Sequence, residues 1–389
     1  MSDKKCPLDF DYHGPELDDI FDTYRELRAT CPVGYSEKHG GFWFLTKNDD
    51  IFAAEQDHTT FSVAPSMLLP NFGTDVPLIP IDIDPPAHSK YRRILLPLFT
   101  PAAIDALTPR VVDVAQELAK GIDVDSVVDA SAAYARPLPT IIFSALAGFP
   151  EEDWPRFDRW VDEIIYERTV SPDIASAAAD EVFAYFDDLL TRRRSEEPRD
   201  DIIGHLLSAE VDGRPLTNDE LLSYCYLLFL AGLDTTAWAI RSGLWYLARN
   251  AEAQKQLRDD LDAVPAAVEE FLRTLSPVQA MARTATRDVE IKGQRIKAGE
   301  RVVLAFGSGN RDEEQYERAD EIILDRQQNR HFAFGVGIHR CLGSNLGRRE
   351  VLVALQEFLR LLPPFTLADP EQPWHGVGPL NLKFSRKDG

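Results

Sequence analysis

The stretch Phe334-Gly-Val-Gly-Ile-His-Arg-Cys-Leu-Gly343 decides how this chain is read. Three glycines lie within ten residues around one cysteine, Cys341. Glycine lets the backbone take conformations and close approaches that a Cβ blocks. Backbone N–H groups can then point at the sulfur and stabilise its anion. A helix expected from Leu342 to about Leu361 starts just beyond Cys341, and its positive end also favours thiolate. A thiolate held in this way suits an axial iron ligand that pushes electron density toward bound oxygen. The alternative is a buried structural cysteine beside a glycine loop, which is the commoner fate of a lone glycine-flanked cysteine. The full pattern F-G-x-G-x-H-x-C-x-G is far more specific than that.

The remainder of the chain bounds the answer. It has 389 residues, 44% of them apolar, ample for a large buried core. The formal net charge is −22 and the pI near 4.8, a balance that repels phosphate backbones and anionic lipid surfaces. Neither nucleic acid nor membrane is an expected partner. The cysteines, Cys6, Cys31, Cys225 and Cys341, are scattered without a CxxC pair. This spacing suggests neither a zinc site nor a disulfide framework and fits a reducing compartment. The N-terminal residues lack the apolar stretch of a secretory signal, and the most apolar run, Leu221 to Leu233, is too short to span a bilayer. A cytoplasmic protein is expected. With no repeat and no Gly/Ser- or Pro-rich linker, residues 1–389 read as a single domain.

Helical signals dominate. Asp84-Pro85 reads as an N-cap and first helical residue for a helix to about Leu95. Thr217-Asn-Asp-Glu220 is a capping box at the head of a helix that extends to about Arg249. Shorter helices are expected over Ala251–Leu261 and Val264–Leu275. Strand candidates are Gly41–Thr46, a hairpin over Val289–Ile296, and Arg301–Phe306. The fold class is mainly α with a small β portion (α+β).

Three further constellations stand out. Ala231-Gly-Leu-Asp-Thr-Thr236 lies mid-helix, where Gly232 and two threonines are weak helix formers; an acid next to a threonine there can open a local bulge and admit water. The bland alternative is a solvated aspartate and back-bonded threonines. His88 and Arg92 share a helix face, which by default is an exposed pair. Glu270 and Arg273 form an E-x-x-R pair, usually a surface ion pair worth about 0.3–0.5 kcal/mol.

Taken together, these motifs resemble the cytochrome P450 family, in particular its soluble bacterial members, which are haem-thiolate monooxygenases. The loop matches at Phe334, Gly335, Gly337, His339, Cys341 and Gly343, and the motifs follow in family order over roughly residues 80 to 350. The resemblance implies the cytochrome P450 fold and haem b (heme b, iron protoporphyrin IX) with Cys341 as the iron ligand. It implies cofactor contacts from Phe334, Gly335 and Ala231, and propionate contacts from His88, Arg92, Arg283 and His339. It identifies Asp234 and Thr235 as the catalytic acid–alcohol pair that relays protons to oxygen, which favours a monooxygenase over peroxide-driven relatives. Glu270 and Arg273 become a buried structural pair joined by Arg326. No nucleotide-binding segment is evident. Electrons are therefore expected from a separate iron–sulfur ferredoxin and a flavoprotein reductase, with NAD(P)H used only indirectly and O2 as co-substrate.

The residues also suggest a pocket. Leu227, Ala231 and Thr235 share a helix face and, with Leu230, are expected on the distal side. Gln279 and Met281 alternate with Arg283 and are expected to point at substrate. The loop from Thr59 to Ala87 contributes Leu68 and Leu69 and contains no Lys or Arg. A carboxylate anchor would need a cation, so the expected substrate is small, neutral and apolar, such as a terpenoid or an aromatic compound. Arg340, Arg348, Arg349 and Arg93 cluster around the cysteine loop and are expected to receive an acidic ferredoxin.

Overall fold

The Thr217 capping box starts a helix as its local chemistry requires. The Thr217 hydroxyl accepts from the Glu220 N–H at 3.2 Å, and the Glu220 carboxylate accepts from the Thr217 N–H at 2.7 Å. Two donors of the first turn, which no helical carbonyl can reach, are thereby satisfied. In the computed structural model, which describes residues 6–8, 10–13, 17–372 and 378–385, the chain then stays helical from Asn218 to Arg249. The helices Pro137–Ala147, Pro172–Ser195, Val264–Leu275 and Ser344–Leu361 all pack against this long helix. By length and hydropathy it could cross a membrane, but 72% of its most apolar window is buried inside the fold. It is apolar all round because it is a core helix.

A glycine in the middle of such a helix costs about 1 kcal/mol relative to alanine. Gly232 is there because a Cβ would stand 2.7 Å from ring atoms of Phe143, on the helix Pro137–Ala147. The same contact lets the two helices approach closely at the segment that carries Asp234.

The larger sheet has six strands in the spatial order Pro7–Leu8, Val33–Ser36, Phe42–Leu45, Arg301–Leu304, Met281–Ala285, Phe61–Ser62. Phe42–Leu45 is buried on both faces. Arg301–Leu304 runs parallel to it and antiparallel to Met281–Ala285. The Val289–Ile296 hairpin pairs Val289–Ile291 with Gln294–Ile296, and Lys292 and Gly293 turn it with φ of 48° and 78°. Two consecutive positive φ values match the right-handed twist of a tight hairpin. A main apolar cluster draws residues from Phe10 to Leu382, and a smaller one sits between this sheet and the helix Asn48–Gln56.

Two sequence expectations fail locally. Asp84 does not cap its helix: its carboxylate accepts from Ser62 Oγ and from the Val63 N–H. The helix starts at Ala87 instead, and the Asp84 carbonyl accepts from the His88 N–H at 3.0 Å. Secondly, Cys6 and Cys31 are joined by a disulfide across 25 residues of sequence. The Pro7–Leu8 strand pairs with Tyr35–Ser36, and the Tyr35 N–H donates to the Cys6 carbonyl at 2.9 Å. The two cysteines are neighbours through the sheet, which their linear spacing conceals. Cysteine usage therefore does not by itself argue for a reducing compartment.

Candidate functional site

Gly335 and Gly337 hold φ of 61° and 70° in the cysteine loop, where side chains are strained. A Cβ on Gly337 would also stand 2.6 Å from the Glu55 carbonyl oxygen. The C-terminal end of Asn48–Gln56 thus presses on the loop at a point only glycine admits. The Cys341 N–H donates to the Phe334 carbonyl at 2.8 Å and closes the loop. The following helix starts at Ser344, three residues beyond Cys341. Burial pushes the Cys341 thiol up, while the Gly343 N–H and the charges of Arg92, Arg340 and Arg348 favour the thiolate. Protein crowds Cys341, yet the residue is exposed on its open side.

The loop and the long helix meet through small residues. A Cβ on Gly347 would lie 3.5 Å from Thr236 Oγ1 and 3.7 Å from the Phe334 ring. Ala231 is exposed, although its neighbours Leu230 and Leu233 are buried in the main core. Leu227 is buried there too.

His88 is 2% exposed, and both its ring nitrogens lack a hydrogen-bond partner; His339 Nε2 is equally orphaned. The two rings stand 4.2 Å apart between centroids. Burial lowers the pKa of both, and for His88 the Arg92 charge adds to that. Three orphaned, buried ring nitrogens in one place are unusual, because buried polar atoms are nearly always paired. An anionic group would satisfy them, and the two propionates of haem have that chemistry. Arg92 donates to the Arg340 carbonyl and lies near Cys341. Arg283 is 3% exposed and is committed to the buried Glu55 carboxylate. Glu55 is thus a site residue that sequence reasoning missed; nothing local marks a glutamate as the partner of an arginine 228 positions away. The exposed Cys341, the orphaned histidines and the glycine cradle fit haem.

Asp234 and Thr235 sit on an unbroken helix, so the expected bulge is absent. The Thr235 hydroxyl donates to the Ala231 carbonyl at 3.2 Å. Asp234 is held by a residue the sequence did not single out. Tyr166, just past the helix Trp154–Ile165, lies 2.8 Å from both carboxylate oxygens. Burial pushes the Asp234 carboxyl up, and the Tyr166 hydroxyl pulls it back. Beside it opens a cleft of about 10 Å³, room for roughly one water, lined by Arg136, Thr140 and Asp158. Arg136 pairs there with Asp158 and Asp162, both about half exposed, so a polar route leads from solvent to Asp234.

The rest of the expected pocket is dispersed. Gln279 turns back to its own helix end, donating to the Leu275 and Ser276 carbonyls at 3.0 and 2.8 Å. Met281 packs on the smaller cluster. Leu68 and Leu69 are half-buried in the lid loop, and the Leu69 carbonyl accepts from the Tyr12 hydroxyl and pairs with His13 Nε2 at 2.8 Å. The expected arginine patch shrinks as well. Arg348 pairs with Glu269 at 2.6 Å and stacks on Phe334, and Arg349 pairs with Asp105 at 2.7 Å.

Glu270 and Arg273 have fully buried side chains, bonded through two contacts of 2.8 Å. Arg326 Nε reaches Glu270 at 3.0 Å, and Asn329 Nδ2 and the Ile323 N–H complete the carboxylate's shell. Replacing Glu270 with alanine leaves two buried or half-buried guanidinium groups without their counter-charge. The expected cost is about 3–5 kcal/mol of unfolding free energy, read by denaturant titration. Glu270→Gln should fall between native and alanine. A Glu270→Ala loss below about 1 kcal/mol, the value of a surface pair, would show that the cluster does not hold the loop.

The chain matches the family described as Cytochrome P450 over residues 79–373. It is 34% identical over 381 residues to cytochrome P450 130 of Mycobacterium tuberculosis, covering 93% of each chain. It is 35% identical over 359 residues to the mycinamicin IV hydroxylase/epoxidase of Micromonospora griseorubida, covering 90% of this chain and 89% of that one. Among solved structures it is similar to the cytochrome P450 PksS of the Bacillus subtilis 168 bacillaene polyketide synthase. That match has a TM-score of 0.88 and 30% identity, and covers 97% of this chain and 100% of that one. With a thiol loop, orphaned histidines and a tyrosine-held acid already in place, these likenesses settle the assignment: the chain belongs to the cytochrome P450 family and is a haem b monooxygenase of the bacterial type.

Proposed function

We propose that this chain, as one haem domain over residues 1–389, inserts one atom of O2 into a mainly apolar organic substrate. The two electrons come from a separate ferredoxin, reduced by a flavoprotein that oxidises NADH or NADPH. The observation that carries the reading is Asp234 held under the Tyr166 hydroxyl at 2.8 Å, beside Thr235 on the helix that meets the Cys341 loop. Haem, when bound, supplies the iron at which O2 is reduced and split. The residues around it supply the rest. Cys341 provides the thiolate, which the Gly343 N–H and nearby arginines favour. His88 and His339 hold the propionates, with Arg92 close by; Arg283, already paired with Glu55, supports that side of the site from one step away. Phe334, Gly335 and Ala231 line the cofactor's faces.

Asp234 moves protons inward from the Arg136–Asp158 cleft, and the Thr235 hydroxyl passes them on once it turns from the Ala231 carbonyl. Leu227, Leu230, Leu68 and Leu69 supply apolar surface near this route. A cytoplasmic location completes the reading. There the Cys6–Cys31 bond would meet a reducing pool, and cell fractionation checks the placement.

For electron entry, Arg93 and Arg340 are exposed and form no ion pair among the described residues. In a chain of net charge −22 they are the cations of this face best able to meet an acidic ferredoxin.

Four measurements test this. In a reconstituted ferredoxin system, NAD(P)H consumption should match product formation. Cys341→His should lose both the product and the red-shifted Soret band of the reduced CO complex that thiolate ligation gives; retention of that band by the variant sinks the ligand assignment. Tyr166→Phe removes the group that pulls the Asp234 carboxyl down, so its pKa rises further. Since Asp234 donates from its protonated form, that form then survives to higher pH. The alkaline limb of the kcat–pH profile should move up; a limb that stays or moves down contradicts the relay. Arg340→Glu should slow electron transfer and flatten its dependence on ionic strength, whereas Arg349→Glu, at a residue already paired with Asp105, should do neither. An unchanged salt dependence in Arg340→Glu refutes the docking face.

A further inference from the structure

Arg168 takes no part in the chemistry above. It lies in the connection 166–171, between the helices Trp154–Ile165 and Pro172–Ser195. Its Nη1 donates to the Ile165 carbonyl at 2.6 Å, and its guanidinium carbon stands 5.0 Å from the centroid of Phe72 on the lid loop. Its Nε is buried with no hydrogen-bond partner, and the side chain forms no ion pair among the described residues. Several buried arginines are matched by carboxylates. Arg28 pairs with Glu313, Arg193 with Asp201, Arg273 with Glu270 and Arg283 with Glu55.

The free part of Arg168 is a specific edge. With Nη1 spent on Ile165, the Nε and Nη2 donors remain, side by side on one edge of the guanidinium plane. That edge fits a carboxylate with two parallel bonds. Arg273 shows the fit in this same protein: its Nε and Nη2 each donate to Glu270 at 2.8 Å.

Among the described residues, the surroundings supply no free acid to fill it. Burial pushes the Arg168 pKa down, and Tyr12, Tyr166 and Asp234 act on its charge. Tyr12 and His13 feel that charge in turn, and both engage the Leu69 carbonyl of the lid loop. Arg168 therefore lies where the N-terminal segment, the lid loop and the long helix's acid come together. Asp234 is taken by Tyr166, and Asp11 by His39 at 3.1 Å. Burying a guanidinium is costly unless an anion and hydrogen bonds compensate.

We propose that Arg168 receives the carboxylate of the substrate, which is then an anionic amphiphile whose apolar body reaches toward Ala231 and Thr235. This rests on the monooxygenase reading of the same site. It revises the neutral substrate expected from the sequence: the loop from Thr59 to Ala87 indeed holds no cation, but Arg168, which packs on its Phe72, brings one.

The test uses the haem-loaded enzyme and two matched pairs of probes, dodecanoate with dodecan-1-ol and 2-naphthoate with 2-naphthalenemethanol. Binding is followed by the Soret change and by calorimetry. In the native enzyme at least one acid should bind about tenfold more tightly than its alcohol, or about 1.4 kcal/mol. Arg168→Gln should abolish that preference and leave the alcohol's affinity unchanged. Arg168→Lys, which keeps the charge but loses the fork, should recover part of it. If Arg168→Gln does not fold, the acid-to-alcohol ratios of native enzyme and Arg168→Lys decide. The proposal is overturned if neither acid outcompetes its alcohol, including the case in which no acid binds, or if the preference survives Arg168→Gln. Failure of the monooxygenase reading shows elsewhere, as a missing thiolate band in the reduced CO complex with the acid-to-alcohol ratio unaffected.

Discussion

Glu270 carries a negative charge that water cannot reach, and the site is built outward from how that charge is met. Arg273 grips it through Nε and Nη2, and Arg326, Asn329 and the Ile323 N–H take its remaining lone pairs. The other donors of Arg273 go to the carbonyls of Asn310, Ala319 and Glu321, which binds helix Val264–Leu275 to the irregular segment ahead of the cysteine. Asn310 then continues the chain of bonds: its Nδ2 donates to Ser276 Oγ at 2.9 Å, and its Oδ1 accepts from the Phe332 N–H at 2.6 Å. Two residues on, the Phe334 carbonyl accepts from the Cys341 N–H. A buried ion pair is poor evidence of net stability, since well-packed apolar groups often serve as well. What this one provides is direction, since a carboxylate with several fixed donors cannot drift, and neither can the backbone attached to them.

That logic separates what the sequence reveals from what it hides. The capping box at Thr217 and the E-x-x-R pair are local: three positions along a helix fix both the partners and the geometry. The cysteine loop is legible because its glycines answer constraints that leave no other residue possible, as at Gly337 against the Glu55 carbonyl. Most of the misses are long-range. Glu55 meets Arg283, Arg348 meets Glu269, Arg349 meets Asp105 and Tyr166 meets Asp234 across separations of 68 to 244 residues or so. Cys6 and Cys31 become neighbours only because a two-residue strand adds to the sheet edge. Exposed-looking arginines in a strongly acidic chain find carboxylates nearby, and no periodicity reports which.

Gln279 fails for a different reason. The alternation argument assumed an extended chain, but the strand begins only at Met281, and the Gln279 amide is captured by the free carbonyls at the end of helix Val264–Leu275. Unsatisfied helix-end carbonyls compete for any nearby donor. Side-chain direction just outside a strand is therefore decided by the neighbouring helix, and a pocket lining inferred from strand period alone is unsafe at that position.

Some unmet polar atoms lie where a ligand can answer them. Behind the cysteine loop, Glu270 is met by two arginines, Glu269 by Arg348 and His331, and Asp312 by Lys47. Buried polar atoms without a hydrogen-bond partner occur at several points, among them the ring nitrogens of His88 and His339 and the Nε of Arg168. A folded chain tolerates such atoms where something else satisfies them. The histidines lie beside the cysteine loop and suit the cofactor's acid groups. Arg168 lies among Phe72, Tyr12 and Tyr166, and forms no ion pair among the described residues. Its edge is shaped for two oxygens, and the proposed role in substrate recognition rests on that shape. The loop that carries its aromatic neighbour is fastened at several carbonyls: Leu69 meets Tyr12 and His13, Phe72 accepts from the Tyr226 hydroxyl, Pro77 from Ser223 Oγ and Met67 from the Ala282 N–H.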